Sequence, residues 1–330
     1  MHHSFDLIGV GSPILDMLVR VEESFIETIR GEKGGMVLVE DEQMDDILSL
    51  IDPKQIEYSP GGAAANTTFA LANLGIRTAF VGKLGTDENA DFYKKSFQDV
   101  NGDISRFKSS PQKPTARCLS FITPDAERTM RTNLGAASLL SPDDISTDDF
   151  RGDRHVHIEG YLLFNRELLQ TTLKKIHEAG CTISLDLGSF EIVNGAMDIL
   201  PDLLRDYITI VFANEDEARA FGGSTVHEEN LGKLAGLCDI AVVKVGKKGS
   251  YVREGNNLAR IQPVVVDNAL DTTGAGDLWA SGFLYGYLSG KDIDTCGRMG
   301  SIMGAHAVQC MGTCLGSNRW EHIREEINAL

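Results

Sequence analysis

The sequence predicts an α/β fold: a doubly wound, mainly parallel sheet covered by helices on both faces, with a small β-sheet lid. Three observations support it. Apolar strands alternate regularly with helices from residue 155 onward, and strand-like segments near 31–41 and 116–133 interrupt the alternation. Glycine turns follow several strands, where open α/β sheets bind ligands. Without internal repeats or low-complexity linkers, residues 1–330 are expected to form one domain, with the lid from about 17–45 and 112–135.

Composition limits the classes of function. The chain has 330 residues, of which 42% are hydrophobic, and a net charge of −17. This charge argues against nucleic acid and against an anionic membrane surface as partners. Neither a membrane span nor a signal peptide is visible, so a cytoplasmic location is expected. The scattered cysteines predict no disulfide framework, and Cys310 and Cys314, although at helical spacing, are not expected to bind zinc.

The first predicted strand, residues 5–11, ends in a glycine turn. A strand followed by Gly-x-Gly begins a dinucleotide-binding fingerprint, but Ile14 occupies the place of the third glycine and Pro13 opposes a helix start. NAD binding is therefore not expected. The turn supplies Asp16, whose short carboxylate could accept two substrate hydroxyls at the end of a strand. A solvated loop acid is the alternative, and the residues alone leave both open.

The two segments outside the alternation predict the lid. Residues 31–41 resemble a glycine loop with a short strand, and residues 116–133 indicate a hairpin whose turn contains Pro124 and Asp125. Strands that interrupt a βα series usually form their own small sheet. Over a pocket, such a sheet is a lid.

Residues 60–75 predict a ligand-facing turn followed by a helix. Gly61 and Gly62 allow close approach of the backbone to a ligand, and Gly75 ends the helix. Asn66 is a polar amide in a row of alanines. It either satisfies a neighbouring loop or reaches a substrate hydroxyl, and both interpretations stay open.

The second half of the chain predicts the regular βα series. His155 and His157 alternate with apolar residues and are expected to be packed, hydrogen-bonded side chains rather than metal ligands. The predicted strands are 154–160, 181–187, 207–213 and 240–245, and the clearest helix is 166–179.

Two polar segments follow strands in this half. Residues 214–217 place an amide and three acids at the head of a helix, where either the helix dipole favours the acids or one carboxylate holds Mg²⁺, commonly through water. Residues 244–250 form a basic glycine turn without the spacing of a Walker loop. This turn is either a surface hairpin or a contact for nucleotide phosphates.

The stretch Asp271–Asp277 is the strongest candidate for a reactive site. Small residues precede an apolar, helix-competent run, so the chain is expected to turn tightly and enter a helix. The first N–H groups of that helix would be free to bind an anion. Asp277 would lie beside this anion hole, where a carboxylate is out of place unless it handles a proton. An ordinary glycine turn with an early-helix Asp is the alternative.

Together these segments resemble the ribokinase-like, or PfkB, family of carbohydrate and nucleoside kinases. The resemblance runs in family order from residue 5 to about 316 and implies the ribokinase-like fold. The matching segments are Gly61–Gly62 through Asn66 to Gly75, Asn214 with Glu217, the Lys244 turn, and Asp271–Asp277.

This resemblance implies ATP-dependent phosphorylation of a hydroxyl. By family likeness, Asp277 is the base that removes the hydroxyl proton, and the N–H groups of Gly274, Ala275 and Gly276 hold the developing phosphoryl charge. The other implied contacts are Asp16, Gly61, Gly62 and Asn66 for sugar hydroxyls; Asn214, Lys244, Gly246 and Gly249 for the nucleotide; Glu217, through water, for Mg²⁺; and Asp271 for a monovalent cation, with a need for K⁺ left open.

The expected substrate is a nucleoside such as adenosine, phosphorylated on a primary hydroxyl. Residues 13–16, 33–40 and 127–130 look more like the adenosine kinase branch than like ribokinase. Residues 63–65 are alanines where ribokinases show a lysine and a glycine, which disfavours free ribose. Aromatic side chains that could stack on a base, with core packing as the alternative for each, are Phe121, Phe164 and Phe190.

Two other functions remain open. A free-sugar kinase acting on fructose, 2-keto-3-deoxygluconate or ribose is the first alternative. A non-catalytic ligand-binding protein of the same fold is the second, although Asp277 and its glycines are intact. The resemblance also allows a homodimer through the lid.

Overall fold

The computed structural model describes residues 5–125, 127–313 and 315–330. Its strands are β1 (Leu7–Val10), β2 (Ile14–Arg20), β3 (Met36–Leu38), β4 (Glu57–Gly61), β5 (Thr78–Val81), β6 (Lys83–Leu84), β7 (Lys108–Ser109), β8 (Ala116–Ile122), β9 (Arg128–Asn133), β10 (His155–Glu159), β11 (Thr182–Asp186), β12 (Ile210–Asn214), β13 (Ile240–Lys244), β14 (Ser250–Glu254) and β15 (Asn257–Ile261). Its α-helices are α1 (Glu23–Ile26), α2 (Asp41–Ser49), α3 (Ala63–Asn73), α4 (Glu88–Asp99), α5 (Arg166–Ala179), α6 (Phe190–Ala196), α7 (Leu200–Tyr207), α8 (Glu215–Gly222), α9 (His227–Ala235), α10 (Ala275–Leu288), α11 (Ile293–Ala307) and α12 (Ser317–Asn328).

The large sheet confirms the predicted doubly wound architecture. Among the described residues it has eight strands in the order β15-β14-β13-β12-β11-β10-β1-β5. The run from β5 through β1 and β10 to β13 is parallel, and β14 and β15 add antiparallel strands at one edge. Because parallel strands point the same way, their carboxyl ends meet at one edge of the sheet, where ligands bind in such folds.

Helices cover both faces of the large sheet. On one face, apolar side chains of α5, α6, α7, α8 and α9 pack on β1 and β10–β13, for example Leu173 and Leu204. On the other face lie α3, α10 and α11, represented by Leu71, Phe283 and Cys296. Helix α10 is buried along most of its length because its residues are apolar or small all around the helix. No helix among the described residues is long and apolar enough to cross a membrane.

A second sheet, here called the small sheet, has the strand order β3-β9-β8-β2-β4 in the described chain. The antiparallel pairing of β8 with β9 confirms the predicted hairpin, although residue 126 of its turn lies outside the described residues. Strand β4 was not expected here, since Pro60 and Gly61 resemble a turn. It lies at the edge of the sheet, where a proline removes no ladder hydrogen bond.

Most predicted boundaries are shifted by only a residue or two, and helix α5 agrees at both ends. The interval 207–213 is the clearest error, because Tyr207 ends α7 and β12 begins at Ile210. Burial of Leu203 and Leu204 keeps this segment helical up to Tyr207, whose own preference is for a strand.

Candidate active site

The predicted site residues meet at the carboxyl edge of the large sheet, under the small sheet. Asp16 lies on β2, so it belongs to the small sheet and not to a loop. Gly61 ends β4, and Gly62 is the N-cap of α3, the helix that carries Asn66. Asn214 and Lys244 are the last residues of β12 and β13.

The turn before α10 has the geometry of an anion hole. Gly274 is the N-cap of α10 and adopts a left-handed conformation with φ of 69°. A Cβ at this position would lie 2.1 Å from Cγ2 of Thr313, so only glycine fits. Ala275 N–H donates to the Thr272 carbonyl at 3.2 Å, so one of the three predicted donors already has an acceptor. Within the described residues, the N–H groups of Gly274 and Gly276 have none.

Asp277 is held by two residues of α3. Its Oδ2 accepts a hydrogen bond from Asn66 Nδ2 at 2.9 Å, and its main-chain carbonyl accepts one from Thr67 Oγ1 at 3.0 Å. Thr313 Oγ1 donates to Asn66 Oδ1 at 3.1 Å, which turns the amide NH₂ toward Asp277. Asn66 therefore contacts the predicted base itself, a role that its position among alanines did not indicate.

The electrostatic surroundings of Asp277 favour its protonated form. Burial and then the charge of Asp186 raise the pKa of the Asp277 carboxyl, the hydrogen bond from Asn66 lowers it, and the resulting pKa is about 8. Part of the residue stays exposed in the cleft, although protein atoms surround the carboxyl group. A carboxyl group with a pKa near neutrality is suited to accept a proton during a reaction.

Two acids of the site were missed from the sequence. Glu159 and Asp186 are the last residues of β10 and β11, and both are buried. The available signal was an acid at the end of an apolar strand, which is uncommon in a buried position without a partner.

Glu159 joins the first turn of the chain to α3. Its Oε1 accepts the N–H of Ser12 at 2.9 Å, and its Oε2 accepts the N–H of Ala64 at 3.4 Å. Helix α3 has a glycine N-cap without a side chain, so Glu159 supplies a cap from another strand. Burial raises the pKa of Glu159 to about 7.

Lys244 points into the site and not outward with the turn that follows it. Its Nζ pairs with Asp186 Oδ2 at 2.8 Å and lies 3.4 Å from the carbonyl of Gly276. Burial alone lowers the pKa of Lys244, but the carboxylates of Asp186 and Glu217 outweigh this and raise it. The ammonium group therefore stays charged beside the first turn of α10.

The turn after Lys244 is the tight hairpin between β13 and β14. Gly246 and Gly249 both have positive φ angles, and a Cβ at Gly249 would lie 2.0 Å from the Ile261 carbonyl. The prediction of a glycine turn is confirmed, and its contact with a nucleotide stays a prediction.

Asn214 and Glu217 cap helix α8 reciprocally. Asn214 Oδ1 accepts the N–H of Glu217 at 2.9 Å, while Glu217 accepts the Asn214 main-chain N–H at 2.8 Å and its side-chain amide at 2.6 Å. Burial and then the charge of Asp186 raise the pKa of Glu217 to about 7. The helix-start interpretation of these residues is confirmed. Glu217 also lies close enough to Asp186 for the two carboxyl groups to interact electrostatically.

Asp271 makes a buried ion pair with the small sheet. Its Oδ2 accepts hydrogen bonds from Arg128 Nη1 and Gly312 N–H, both at 2.8 Å, and its Oδ1 accepts the Thr273 N–H at 2.9 Å. Burial raises the pKa of Asp271, but the hydrogen bonds from Gly312 and Thr273, with the charge of Arg128, bring it below its usual value. In this structure Asp271 anchors strand β9, and its predicted role toward a monovalent cation stays a prediction.

Asp16 faces the glycine pair. A Cβ at Gly61 would lie 2.4 Å from Asp16 Oδ2, so the glycine makes room for the carboxylate. Burial raises the pKa of Asp16, the nearby Arg128 opposes this, and the resulting pKa is about 6. The alternative of a solvated loop acid is therefore wrong.

The aromatic candidates separate into two groups. Phe121 is buried on the outer side of the small sheet, with its ring 5.3 Å from that of Phe25, so its role is core packing. Phe164, which follows β10, is 72% exposed, and Phe190, the first residue of α6, is 47% exposed. Tyr161, which the sequence analysis did not single out, is 44% exposed at the same edge.

The paired strand histidines are confirmed as packed and hydrogen-bonded. Thr182 Oγ1 donates to a main-chain carbonyl and accepts from His155 Nδ1 at 2.7 Å. Ser184 Oγ lies 2.8 Å from both His155 Nε2 and His157 Nδ1. Burial lowers the pKa of His155 to about 3 and that of His157 to about 4, so both are neutral. Cys314 lies outside the described residues, so the Cys310–Cys314 spacing stays uninterpreted.

Comparison with known proteins agrees with this geometry. The model of the pfkB family carbohydrate kinases matches residues 37–320. The chain belongs to this family. As a pfkB kinase it phosphorylates a hydroxyl group of a sugar or nucleoside, and the family implies ATP as the phosphoryl donor.

Its relatives in the pfkB family carry several substrate names. It is 28% identical to an adenosine kinase from Dictyostelium discoideum over 89% of this chain and 92% of that protein. It is 27% identical to a 2-dehydro-3-deoxygluconokinase from Bacillus subtilis over 81% and 86%. A crystal structure of adenosine kinase from Sinorhizobium meliloti superimposes with a TM-score of 0.86 at 29% identity, covering 98% of this chain and all of that one (100%). At these identities the family and the fold are shared, and the substrate is not decided.

Proposed function

We propose that this pfkB kinase phosphorylates a primary hydroxyl of a nucleoside such as adenosine. The observation that carries the proposal is the set of exposed aromatic side chains, Tyr161, Phe164 and Phe190, beside the carboxyl edge of the large sheet. Large exposed rings are unfavourable in water, and a flat nucleobase would cover them by stacking. A free sugar has no flat ring to offer. The similarity to two adenosine kinases supports the same choice.

Asp277 is proposed as the general base. Within the described residues, the hydrogen bond to its carboxylate comes from Asn66 and goes to Oδ2, which leaves Oδ1 to take the hydroxyl proton. The oxygen that loses the proton attacks the γ-phosphorus of ATP, and the bond to the β-phosphate oxygen breaks. The free N–H groups of Gly274 and Gly276 donate hydrogen bonds to the phosphoryl oxygens as their charge is redistributed. Lys244 places a positive charge beside the same turn.

A magnesium ion fits this edge only in company with the nucleotide. No group of three acidic, histidine or cysteine side chains suited to a metal occurs in the described part of the chain. Mg²⁺ commonly takes one or two carboxylates and completes its shell with phosphates and water. Asp186 and Glu217 are two buried acidic groups that share the single positive charge of Lys244. Part of their negative charge is therefore not balanced by Lys244. They are the residues proposed to hold the ion, Glu217 through water, and a bound ion would neutralise phosphate charge there.

The remaining contacts are proposed from position. Asp16, with Gly61 and Gly62, would hold the ribose hydroxyls, because its carboxylate faces the glycine pair at the mouth of the site. The small sheet would act as the lid, since the Arg128–Asp271 ion pair joins it to the anion hole. The proposed nucleotide contacts are Asn214, Gly246 and Gly249.

The predicted monovalent cation and the predicted homodimer both stay proposals. A monovalent cation at Asp271 would have to displace one of the donors Arg128, Gly312 or Thr273, and comparison of initial rates in K⁺ and tetramethylammonium salts tests this. A homodimer through the small sheet would cover the exposed side chains of Met36 and Leu38, and sedimentation velocity tests that.

A substrate panel decides the function. ADP release with ATP and Mg²⁺ would be measured for adenosine, other nucleosides, ribose, fructose and 2-keto-3-deoxygluconate, with Asp277→Asn as the inactive control. The highest kcat/KM is expected for a nucleoside. A higher value for a free sugar would contradict the nucleoside proposal. If no substrate raised ADP release above that of the Asp277→Asn control, the kinase proposal would be replaced by the third hypothesis, a protein that binds its ligand without turnover.

A free-sugar kinase is the second candidate because of the similarity to the 2-dehydro-3-deoxygluconokinase. The aromatic residues separate the two candidates. Phe164→Ala and Phe190→Ala should raise the KM of a nucleoside about tenfold each, since stacking on a base is worth roughly 1–3 kcal/mol. Neither change should alter the KM of a free sugar. The buried Phe121 cannot serve as a control, but Tyr207→Ala can, because this partly exposed ring ends α7 just before β12, at the opposite edge of the sheet from the site.

A further inference from the structure

A cavity of about 430 Å³ lies on the outer side of the small sheet, away from the anion hole. It is bounded by the segment after α1, by β3 and by α2. Its walls are mainly apolar, with Ile29, Val37, Leu38, Ile47 and Leu50 among them, and Arg131 also lines it. The volume is within the range of small-molecule sites, roughly 300–1,000 Å³.

Arg131 is completely buried, which is rare for an arginine. It lies on β9 three positions after Arg128, and side chains an odd number of positions apart on a strand leave opposite faces of the sheet. Arg128 reaches Asp271 on the inner side, and Arg131 enters the apolar layer under α1 and α2.

Most of the hydrogen-bonding capacity of Arg131 is unused. Nη1 donates to the Met130 carbonyl at 2.8 Å. Nε and Nη2 have no hydrogen-bond partner within the described residues. Burial lowers the pKa of Arg131, and no nearby acid compensates for this. A buried guanidinium group without a counter-charge is strongly unfavourable, so a missing partner is indicated.

Two neighbouring arginines of the small sheet each have an aspartate as a partner. Arg117, on the adjacent strand β8, pairs with Asp45 at 3.0 Å. Arg128 pairs with Asp271 at 2.8 Å. Asp46 also lines the cavity, but it is exposed and forms no ion pair with Arg131 in the described structure. Although 48 residues of the chain are acidic, none of the described ones compensates for the burial of Arg131.

We propose that the cavity binds a small molecule with an apolar body and one oxyanion group, a carboxylate or a phosphate, which pairs with Arg131. The unused Nε and Nη2 are adjacent donors of one planar fork, which matches the paired oxygens of either group. Gly31 lies against Nη2 and covers it, so the segment after α1 would have to shift for the ligand to reach the fork. The apolar walls fit the body of the ligand. This site lies on the opposite side of the small sheet from Asp16 and Asp271, and it does not depend on the proposed substrate.

Isothermal titration calorimetry tests the proposal with hexanoate and hexyl phosphate at constant ionic strength. Hexanol and hexylammonium serve as the uncharged and oppositely charged controls, and the two anions distinguish the carboxylate from the phosphate. At least one anion should bind the wild type, and Arg131→Met should weaken it by about tenfold or more. Arg117→Met is the matched control, since Arg117 leaves the same face of the neighbouring strand and already has its acid. It should leave anion binding unchanged.

A second variant keeps the test decisive if Arg131→Met fails to fold. Leu50 is 60% exposed at the cavity, so Leu50→Glu should fold and bring a competing carboxylate to it. Its anion affinity should fall several-fold. The proposal would be overturned if neither anion bound at millimolar concentration, if both variants bound anions like the wild type, or if hexanol bound as tightly as hexanoate. A dimer that dissociates in the Arg131→Met variant, without anion binding, would also overturn it, in favour of contact between two copies of the chain.

Discussion

Asp271 and Asp277 begin and end the same glycine turn, yet their surroundings are opposite. Asp271 accepts hydrogen bonds from Arg128, Gly312 and Thr273, and its pKa lies below the usual value. Within the described residues, Asp277 receives one side-chain hydrogen bond, from Asn66, and burial beside other acids raises its pKa to about 8. Burial raises the pKa of both carboxyl groups, so it is the donors and charges around each one that decide the net direction of its shift.

The difference shows how one turn combines stability with reactivity. A carboxylate that is fully hydrogen-bonded stabilises the fold, because its ionised form is favoured in the native state. A carboxylate with few donors destabilises the fold when ionised but is ready to accept a proton. Asp271 therefore anchors the small sheet to the turn, and the surroundings of Asp277 suit the role of general base proposed for it.

The largest expected effect is on the rate of the Asp277→Asn variant. An amide cannot take the hydroxyl proton, so kcat should fall by about 10²–10⁴-fold while KM changes little. Steady-state kinetics with the best substrate of the panel provide the measurement. Asp206→Asn, an exposed residue of α7, is the matched control and should keep full activity. A decrease in kcat of less than tenfold for Asp277→Asn would contradict the assignment of the base.

The main effect of the Asp271→Asn change should be a lower free energy of unfolding and not a lower kcat. Without the carboxylate, Arg128 is left buried and unpaired, and breaking such a pair lowers the free energy of unfolding by about 3 kcal/mol. Urea denaturation measures this loss. The double variant Arg128→Met/Asp271→Asn should regain part of it, since no unpaired charge remains. If Asp271→Asn proved as stable as the wild type, the ion pair would not be the anchor.

The two acids should also have opposite effects on stability as pH changes. Asp277 has a raised pKa, so its contribution is fully present below its unfolded pKa of 3.8 and is lost as pH rises to about 8. The Tm of Asp277→Asn should therefore exceed that of the wild type by about 2–5 °C at pH 8 and match it near pH 4.

Asp271 should show the reverse trend, because its pKa is lowered and its contribution is present above 3.8 and lost as pH falls. The Tm deficit of Asp271→Asn should accordingly be largest near neutral pH and shrink below pH 4. Thermal denaturation of Asp277→Asn and Asp271→Asn from below pH 4 to pH 8 tests both predicted trends. Parallel curves for the two variants would remove the distinction between the two acids.

The smallest expected effect concerns Asn66. Its hydrogen bond lowers the pKa of Asp277, so Asn66→Ala should move the acid limb of the kcat/KM profile to higher pH, by about one unit or less. Since the ionised base is required, kcat/KM should increase with pH up to about 8 in the wild type and reach its plateau later in the variant. Thr67→Val is the control, because Thr67 donates to the main chain of Asp277 and not to its carboxylate. An unshifted limb in Asn66→Ala would contradict the electrostatic role of the amide.

Local patterns were sufficient for much of the fold. The βα alternation predicted the parallel sheet, and the segment 116–133 predicted the hairpin of β8 and β9. They failed for β4, because Pro60 and Gly61 resemble a turn and only the edge of a sheet accommodates them. For Phe121 they left base stacking and core packing both open, since period alone cannot tell which side of a strand faces the site; the structure confirms core packing.

Some residues of the candidate site could be predicted from local sequence, and others could not. Asp277 and its glycines could be located because the turn and the helix start are adjacent in sequence. Glu159 and Asp186 could not, because each acquires its role from strands and turns far away in the chain. The partner of Asp271 lies on β9, and that of Asp277 lies on α3.

The sequence by itself determined the family, the fold and the position of the glycine turn before α10, since these depend on periodicity and on contiguous motifs. Only the tertiary structure decided which of the two acids in that turn is bound by donors and which is left to titrate near neutrality. The physical reason is that a pKa depends on burial and on charges within a few ångströms. Those neighbours come from residues that folding alone brings together.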